Sequence, residues 1–133
     1  MCEKDLPAAM ALSYLGDAVY SLYIRQKLVA AGISHAGDLN RLSLSYVTAP
    51  RQAEMAKRLL PLLSEEETGV YRRAFNHKGL SRPAHASYGE YRAATGFEAV
   101  LGALYHLGET ERLYALLDTI HQNEFKEKDD TLQ

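Results

Sequence analysis

The sequence predicts an all-α, single-domain fold of about six main helices, and three observations carry that prediction. Apolar residues recur at steps of three and four, caps and prolines stand where helices begin, and no segment alternates apolar with polar residues. At 133 residues with 47% hydrophobic content, the chain is long enough for one real core and too short for two. A folded domain over residues 1–125 and a charged tail over 126–133 are expected. Cys2 is the single cysteine, which excludes a disulfide framework and a cysteine zinc site. Every long apolar run is broken by charge well short of a membrane span, so no membrane is expected to be involved and a cytoplasmic location fits.

The first helix is read over Ala8 to Ala30, after Pro7, with Ala8, Leu12, Leu15, Val19 and Leu22 on one face. Asp17 points nearly opposite, beside Met10, Ser13, Tyr14, Ser21 and Ile24. A helix apolar almost all round is a buried one, so Asp17 is expected to be withdrawn from water and in need of compensation. Either an Arg or Lys from another helix or a hard divalent cation would serve.

Gly32 ends this helix, and Ser34 is expected to cap a second one reaching about Val47. It carries Asp38, which could cap, pair, or join a metal shell through water. Thr48 caps a third helix with Pro50 in its first turn, ending near Pro61; its Arg51, Lys57 and Arg58 read as a solvated face. Ser64 and Glu67 form a capping box for a fourth helix running to about Phe75, with Glu65 to Glu67 set against the positive end of its dipole. Residues 76–87, NHKGLSRPAHAS, break every period and contain no acid. With Arg72 and Arg73 they make a basic block in a chain of net charge only −2, suited to phosphate contacts. His77 and His85 are too few, on too irregular a loop, to be metal ligands.

Ser87 and Glu90 form a second capping box, opening a fifth helix that Gly108 ends. Its core set is read as Ala93, Phe97, Val100, Leu104 and Leu107, with Glu98 across from it beside Thr95 and Gly102. The first helix's pattern repeats here: each helix holds one acid on the face away from its aliphatic stripe, among small residues (Ser13 and Ser21; Ala94 and Gly102) that leave room for a hydrated ion and a phosphate. A last helix over about Glu109 to Phe125 presents Leu113, Leu116, Leu117 and Ile120 to the core. Contacts between the first and fifth helices are expected at the centre.

LSYLGDAV at 12–19 resembles the signature helix of the ribonuclease III family, and FEAVLGA at 97–103 resembles its second acidic motif. With YRAATGFE at 91–98 and RRAFNHK at 72–78, the resemblance narrows to the compact Mini-ribonuclease III subgroup over roughly residues 8–120. It implies the family's helical endonuclease-domain fold. Fuller members of the family carry further acids where this chain has Met10, Ser13 and Thr95. The thinned cluster predicts a weaker metal site, more dependent on water and on RNA phosphates as ligands.

What the resemblance implies is a metal-dependent endoribonuclease of double-stranded RNA, with Asp17 and Glu98 as catalytic residues and ligands of Mg²⁺, which Mn²⁺ could replace. Hydrolysis of the phosphodiester would leave a 5′-phosphate and a 3′-hydroxyl. Arg72, Arg73, Asn76, Lys78 and Arg82 would meet the RNA backbone, and Arg92 would either reach the same groove or pair with an acid. A homodimer is implied, one active site per strand, and Met10, Tyr14 and Ile24 on the Asp17 side are the apolar groups it would cover. The subgroup further implies maturation of 23S ribosomal RNA precursor ends, with a large-subunit ribosomal protein presenting the substrate. No length remains after the last helix for a double-stranded RNA-binding domain, so modest, salt-dependent affinity is expected. Three rival readings stay open: a catalytically degenerate RNA- or protein-docking helical module, an all-α nucleotide phosphohydrolase, and a plain helical scaffold.

Overall fold

The computed structural model describes residues 6–79 and 86–125. Six α-helices follow one another: α1 (Ala9–Ala30), α2 (Ala36–Tyr46), α3 (Ala49–Leu59), α4 (Glu65–Phe75), α5 (Tyr88–His106) and α6 (Thr110–Ile120). A 3₁₀ turn, Leu60–Leu62, joins α3 to α4 where Pro61 removes a backbone donor. No strand occurs among the described residues, and none of their helices is long and apolar enough to cross a membrane. The expected tail over 126–133 lies outside the described residues.

The helix starts follow local chemistry. Ser64 accepts from the Glu67 amide while Glu67 reaches back to the Ser64 amide, and Ser87 and Glu90 do the same for α5. Thr48 accepts from the Arg51 amide at 3.3 Å, with Pro50 in the first turn of α3. Helix α2 departs from expectation: its N-cap is His35, with no side-chain bond, and not Ser34. Asp38 in its first turn provides the favourable charge instead, and also pairs with Arg41. Gly108 ends α5 at φ +74°.

Helix α5 is the axis of the domain, packed on α1, α3 and α4. From Ala94 to Leu104, every residue except Glu98 is buried. A helix covered on all sides has no single core stripe, so the five-residue face read from the sequence is only part of what it buries.

In α1 the buried face is turned from the one expected. Leu12, Ser13, Gly16, Val19, Tyr20, Tyr23, Ile24 and Leu28 are inside, whereas Leu22 is 57% exposed and Leu15 half-buried. The helix carries two apolar faces, and the one bearing Ser13 and Gly16 meets α5 because small residues admit the closest approach. Asp17 is consequently exposed at the edge of this face, not withdrawn from water. Ile24 belongs to the core, and the large apolar groups of α1 left outside are Tyr14, 84% exposed, Leu22 and Val29.

The ends of the chain's cationic side chains also differ from expectation. Arg51 is no solvated residue: it pairs with Glu54 and Glu124, while Arg58 donates to the Ile120 carbonyl at 2.9 Å. These bonds tie α3 to the segment after α6, which turns back so that buried His121 meets Tyr20 at 2.9 Å and Glu124 at 2.6 Å. That reversal is why α6 stops at Ile120, short of Phe125. Glu67, beyond capping, is buried and held by Arg112 at 2.6 and 2.7 Å.

Candidate metal and active site

Two glycines bring the acids together. A Cβ on Gly16 would lie 1.7 Å from the carbonyl oxygen of Glu98, and one on Gly102 would lie 1.9 Å from that of Leu12. The α1 and α5 backbones therefore touch at these two points. Gly102, read from the sequence as leaving room for an ion, serves the opposite purpose: it lets the helices close. Their crossing places Ser13 and Asp17, one turn apart on α1, against Glu98.

Asp17 lies close enough to Glu98 to act on the ionisation of its carboxyl. Ser13 Oγ donates to Glu98 Oε1 at 3.4 Å, a long bond. Gln52, on α3, is a further polar neighbour that favours the ionised form of Glu98. Burial, followed by the hydrogen bond and negative charge of Asp17, pushes the Glu98 carboxyl up to about 8, against smaller opposite effects of Gln52 and Ser13. Two like-charged groups close together, one of them desolvated, cannot both ionise at neutral pH without a counter-charge. No described Lys or Arg forms an ion pair with either. The arrangement fits a hard divalent cation, which takes carboxylate oxygens and keeps its remaining positions for water. No group of three or more His, Cys, Asp or Glu able to hold a metal exists among the described residues. Two carboxylates are thus what the described residues offer at this place.

The acids of fuller relatives have no substitute here. Thr95 turns its hydroxyl back to the Tyr91 carbonyl at 2.9 Å, within its own helix. A cavity of about 460 Å³ between α3, α4 and α5, lined by Ala53, Tyr71 and Phe75 among others, contains neither acid. With Asp17 exposed, the acid pair opens to the surface, where a polymer can reach it.

The basic residues are less uniform than the sequence implied. Arg72 and Arg73 are exposed on the last turn of α4, Asn76 is its C-cap, and Lys78 and His77 are exposed beyond it. Arg82, with His85, lies outside the described residues. Arg92 neither pairs with an acid nor stands free: it donates to the Phe75 carbonyl at 2.5 Å and to the Tyr88 hydroxyl at 2.8 Å, and stacks over the Tyr88 ring. It ties the start of α5 to the end of α4. Asp38 is occupied with Arg41 on the exposed face of α2.

Sequence reasoning passed over one polar member of this site and undervalued another. Ser13 was legible as a residue one turn before Asp17. Gln52 had a fainter signal: with Met55, Ala56 and Leu59 it is a polar residue at an apolar-stripe position of α3.

Comparison with known proteins bears on the fold and the family. A family model described as Ribonuclease III domain matches residues 10–108. The Mini-ribonuclease 3 of Thermoanaerobacter sp. is 48% identical over 109 residues, 82% of this chain and 77% of that one. That of Symbiobacterium thermophilum is 44% identical over 108 residues, covering 81% and 83%. A crystal structure of a Fusobacterium nucleatum protein superposes with a TM-score of 0.84 at 27% identity, over 93% of this chain and 95% of that one. Motif, fold and close sequence kinship thus coincide over the same residues, and the chain belongs to the ribonuclease III family, within its Mini-ribonuclease III group.

Proposed function

We propose that this endoribonuclease of double-stranded RNA uses Asp17 and Glu98 as its catalytic carboxylates, holding Mg²⁺ or Mn²⁺ between them. The observation that carries the reading is the closeness of the two carboxyls with no cationic side chain paired to either among the described residues. A bound divalent cation supplies a Lewis acid, lowering the pKa of a coordinated water and neutralising phosphate oxygens as charge develops. Asp17, at the exposed edge, faces the incoming backbone; Glu98 is held by Ser13 and the α1 crossing, so its carboxylate needs little reorganisation. Arg72, Arg73 and Lys78 would draw and align the phosphates, with Asn76 beside them. In-line hydrolysis would leave a 5′-phosphate and a 3′-hydroxyl.

The active unit we infer is a homodimer. The apolar residues that support it are Tyr14 and Leu22 on α1 and Tyr105 on α5, 45% exposed, with Leu15 and Tyr114 beside them. The natural substrate we propose is the 23S ribosomal RNA precursor, presented by a large-subunit ribosomal protein, a reading supported by kinship alone.

The test is cleavage of a labelled RNA duplex at low salt, with magnesium or with chelator. Cutting of duplex and not of single strands, dependent on the metal and absent in folded Asp17→Asn and Glu98→Gln, is the expected result. A folded wild type that binds duplex and never cuts it would sink the reading. For the natural target, the ribosomal RNA precursor should be cut at discrete ends, and faster when the ribosomal protein is present.

A further inference from the structure

We propose that Arg25 and Asn40, at the mouth of the groove between α1 and α2, form a second contact with the RNA backbone and hold the strand that runs on from the acid pair. The path rests on the reading of Asp17 and Glu98 as the catalytic site.

Gly16 packs on Glu98 and Gly102 on Leu12, so α1 and α5 run antiparallel where they touch. The C-terminal half of α1 and the start of α5 therefore leave the acid pair toward the same end of the domain. At a rise of about 1.5 Å per residue, Arg25 stands roughly 12 Å beyond Asp17 on α1, and Tyr88 opens α5 roughly 15 Å before Glu98. Arg92 ties that start of α5 to the end of α4, which carries Arg72, Asn76 and Lys78. Arg25 thus brings a cation to the α1 side of an end whose other side carries the α4 block.

Around the axis of α1, Ser21 and Arg25 lie about 40° and 80° from Asp17, on the side turned away from buried Gly16 and Tyr20. The groove beyond them, about 300 Å³, has an apolar floor that includes Leu28 and Leu39, and no acid lines it. Asp38 of α2 is occupied with Arg41. Arg25 and Asn40 are exposed at the edge of this groove. Among the described residues, neither the guanidinium nor the carboxamide has a hydrogen-bond or ion-pair partner. A guanidinium in this state suits a phosphate, which it can meet through two parallel N–H groups. The carboxamide, donor and acceptor at once, suits the 2′-hydroxyl that marks an RNA backbone. Val29, 62% exposed on the same groove, makes a second copy of the chain the competing occupant; the unpaired cation favours the polyanion.

The test is binding of a labelled RNA duplex in magnesium-free buffer, read by fluorescence anisotropy over a range of salt, for wild type, Arg25→Gln, Asn40→Ala and Arg41→Gln. Arg25→Gln should bind about tenfold more weakly, the lower end for a hydrogen bond to a charged group, with a slope of log affinity against log salt shallower by about 1. Asn40→Ala should weaken binding about threefold, as for a neutral hydrogen bond, and leave the slope unchanged. Arg41→Gln removes the same charge one residue further along α2 and should bind like wild type. Hydroxyl-radical footprints should show Arg25→Gln losing backbone protection within a few nucleotides of the magnesium-dependent cut. Wild-type affinity in Arg25→Gln, or equal losses in Arg25→Gln and Arg41→Gln, overturns the proposal. So does loss of the wild-type oligomeric state in Arg25→Gln by light scattering, which would assign the groove to a second copy. If folded Asp17→Asn still cuts duplex, the acid pair is not the site and the path drawn from it falls too. Cutting lost in Asp17→Asn, with undiminished binding by Arg25→Gln, removes the second contact alone.

Discussion

Gly16 of α1 and Glu98 of α5 meet backbone to backbone, so that a methyl group at position 16 would stand 1.7 Å from the Glu98 carbonyl oxygen. The residue beside the signature acid is thus the contact that sets where the second acid lies. Gly16→Ala must force the helices apart, and since the obstacle is backbone it cannot rotate away. A loss of about 3 kcal/mol is expected in urea unfolding, the upper range for overpacking. Gly89→Ala is the control: nothing lies within 4 Å of its added methyl, and as a helical position it should gain about 0.5 kcal/mol.

Asp17→Asn and Glu98→Gln should separate activity from stability. Each should lower cleavage by about a thousandfold or more, the scale for losing preorganised charge at a reacting phosphate. Without metal, however, Asp17→Asn removes the charge that opposes Glu98. Its melting temperature in chelator should therefore be at or above that of wild type, as is common when a strained functional site is relaxed. Differential scanning calorimetry in EDTA, beside the cleavage assay, checks both halves.

Glu67 governs the acid side of the stability curve. The Arg112 hydrogen bond, with those from Ser64, holds its carboxyl below the ordinary 4.5 against the opposing effect of burial. A depressed carboxylate contributes stability that is present above its unfolded pKa and lost as pH falls through its folded one. Glu67→Gln should thus cost about 2 kcal/mol at pH 7, the half-exposed Arg112 screening part of the pair, and should flatten the decline below pH 4.5. Urea midpoints from pH 7 down to pH 3 give the comparison.

Arg72→Ala and Lys78→Ala should weaken duplex RNA binding in magnesium-free buffer without changing the fold, since both are exposed at the end of α4 and beyond. Each lost phosphate contact lowers the slope of log affinity against log salt by about 1. Arg92→Met should act differently. It frees the Phe75 carbonyl and the Tyr88 hydroxyl, so a stability loss of about 1 kcal/mol should accompany any change in binding.

Leu22→Asp tests the dimer. Leu22 is 57% exposed on α1, at the mouth of the groove it shares with Tyr105 and Tyr114, so the substitution spares the buried core. Light scattering should report a monomer, with duplex cleavage lost although Asp17 and Glu98 are intact. A dimer of wild-type strength in this variant and in Tyr14→Asp would place the interface elsewhere.

Sequence by itself determined the elements and singled out the two acids as candidates. Six helices, both capping boxes, the Thr48 cap and the Gly108 stop follow from interactions within a few residues, and such interactions are written in order along the chain. Asp17 and Glu98 stood out because each is an acid set within the apolar body of a helix, where no cap or helix end accounts for it. Which face of α1 turns inward was decided only by tertiary structure. Periodicity says that a face will be covered, not by what, and α1 has two apolar faces. The one bearing Ser13 and Gly16 meets α5 because only there do the backbones fit, leaving Leu22 and Tyr14 outside and Asp17 at the edge. For the same reason Gln52 was hidden: only the packing of α3 on α5 buries its side chain, with Nε2 turned back to the Val47 carbonyl.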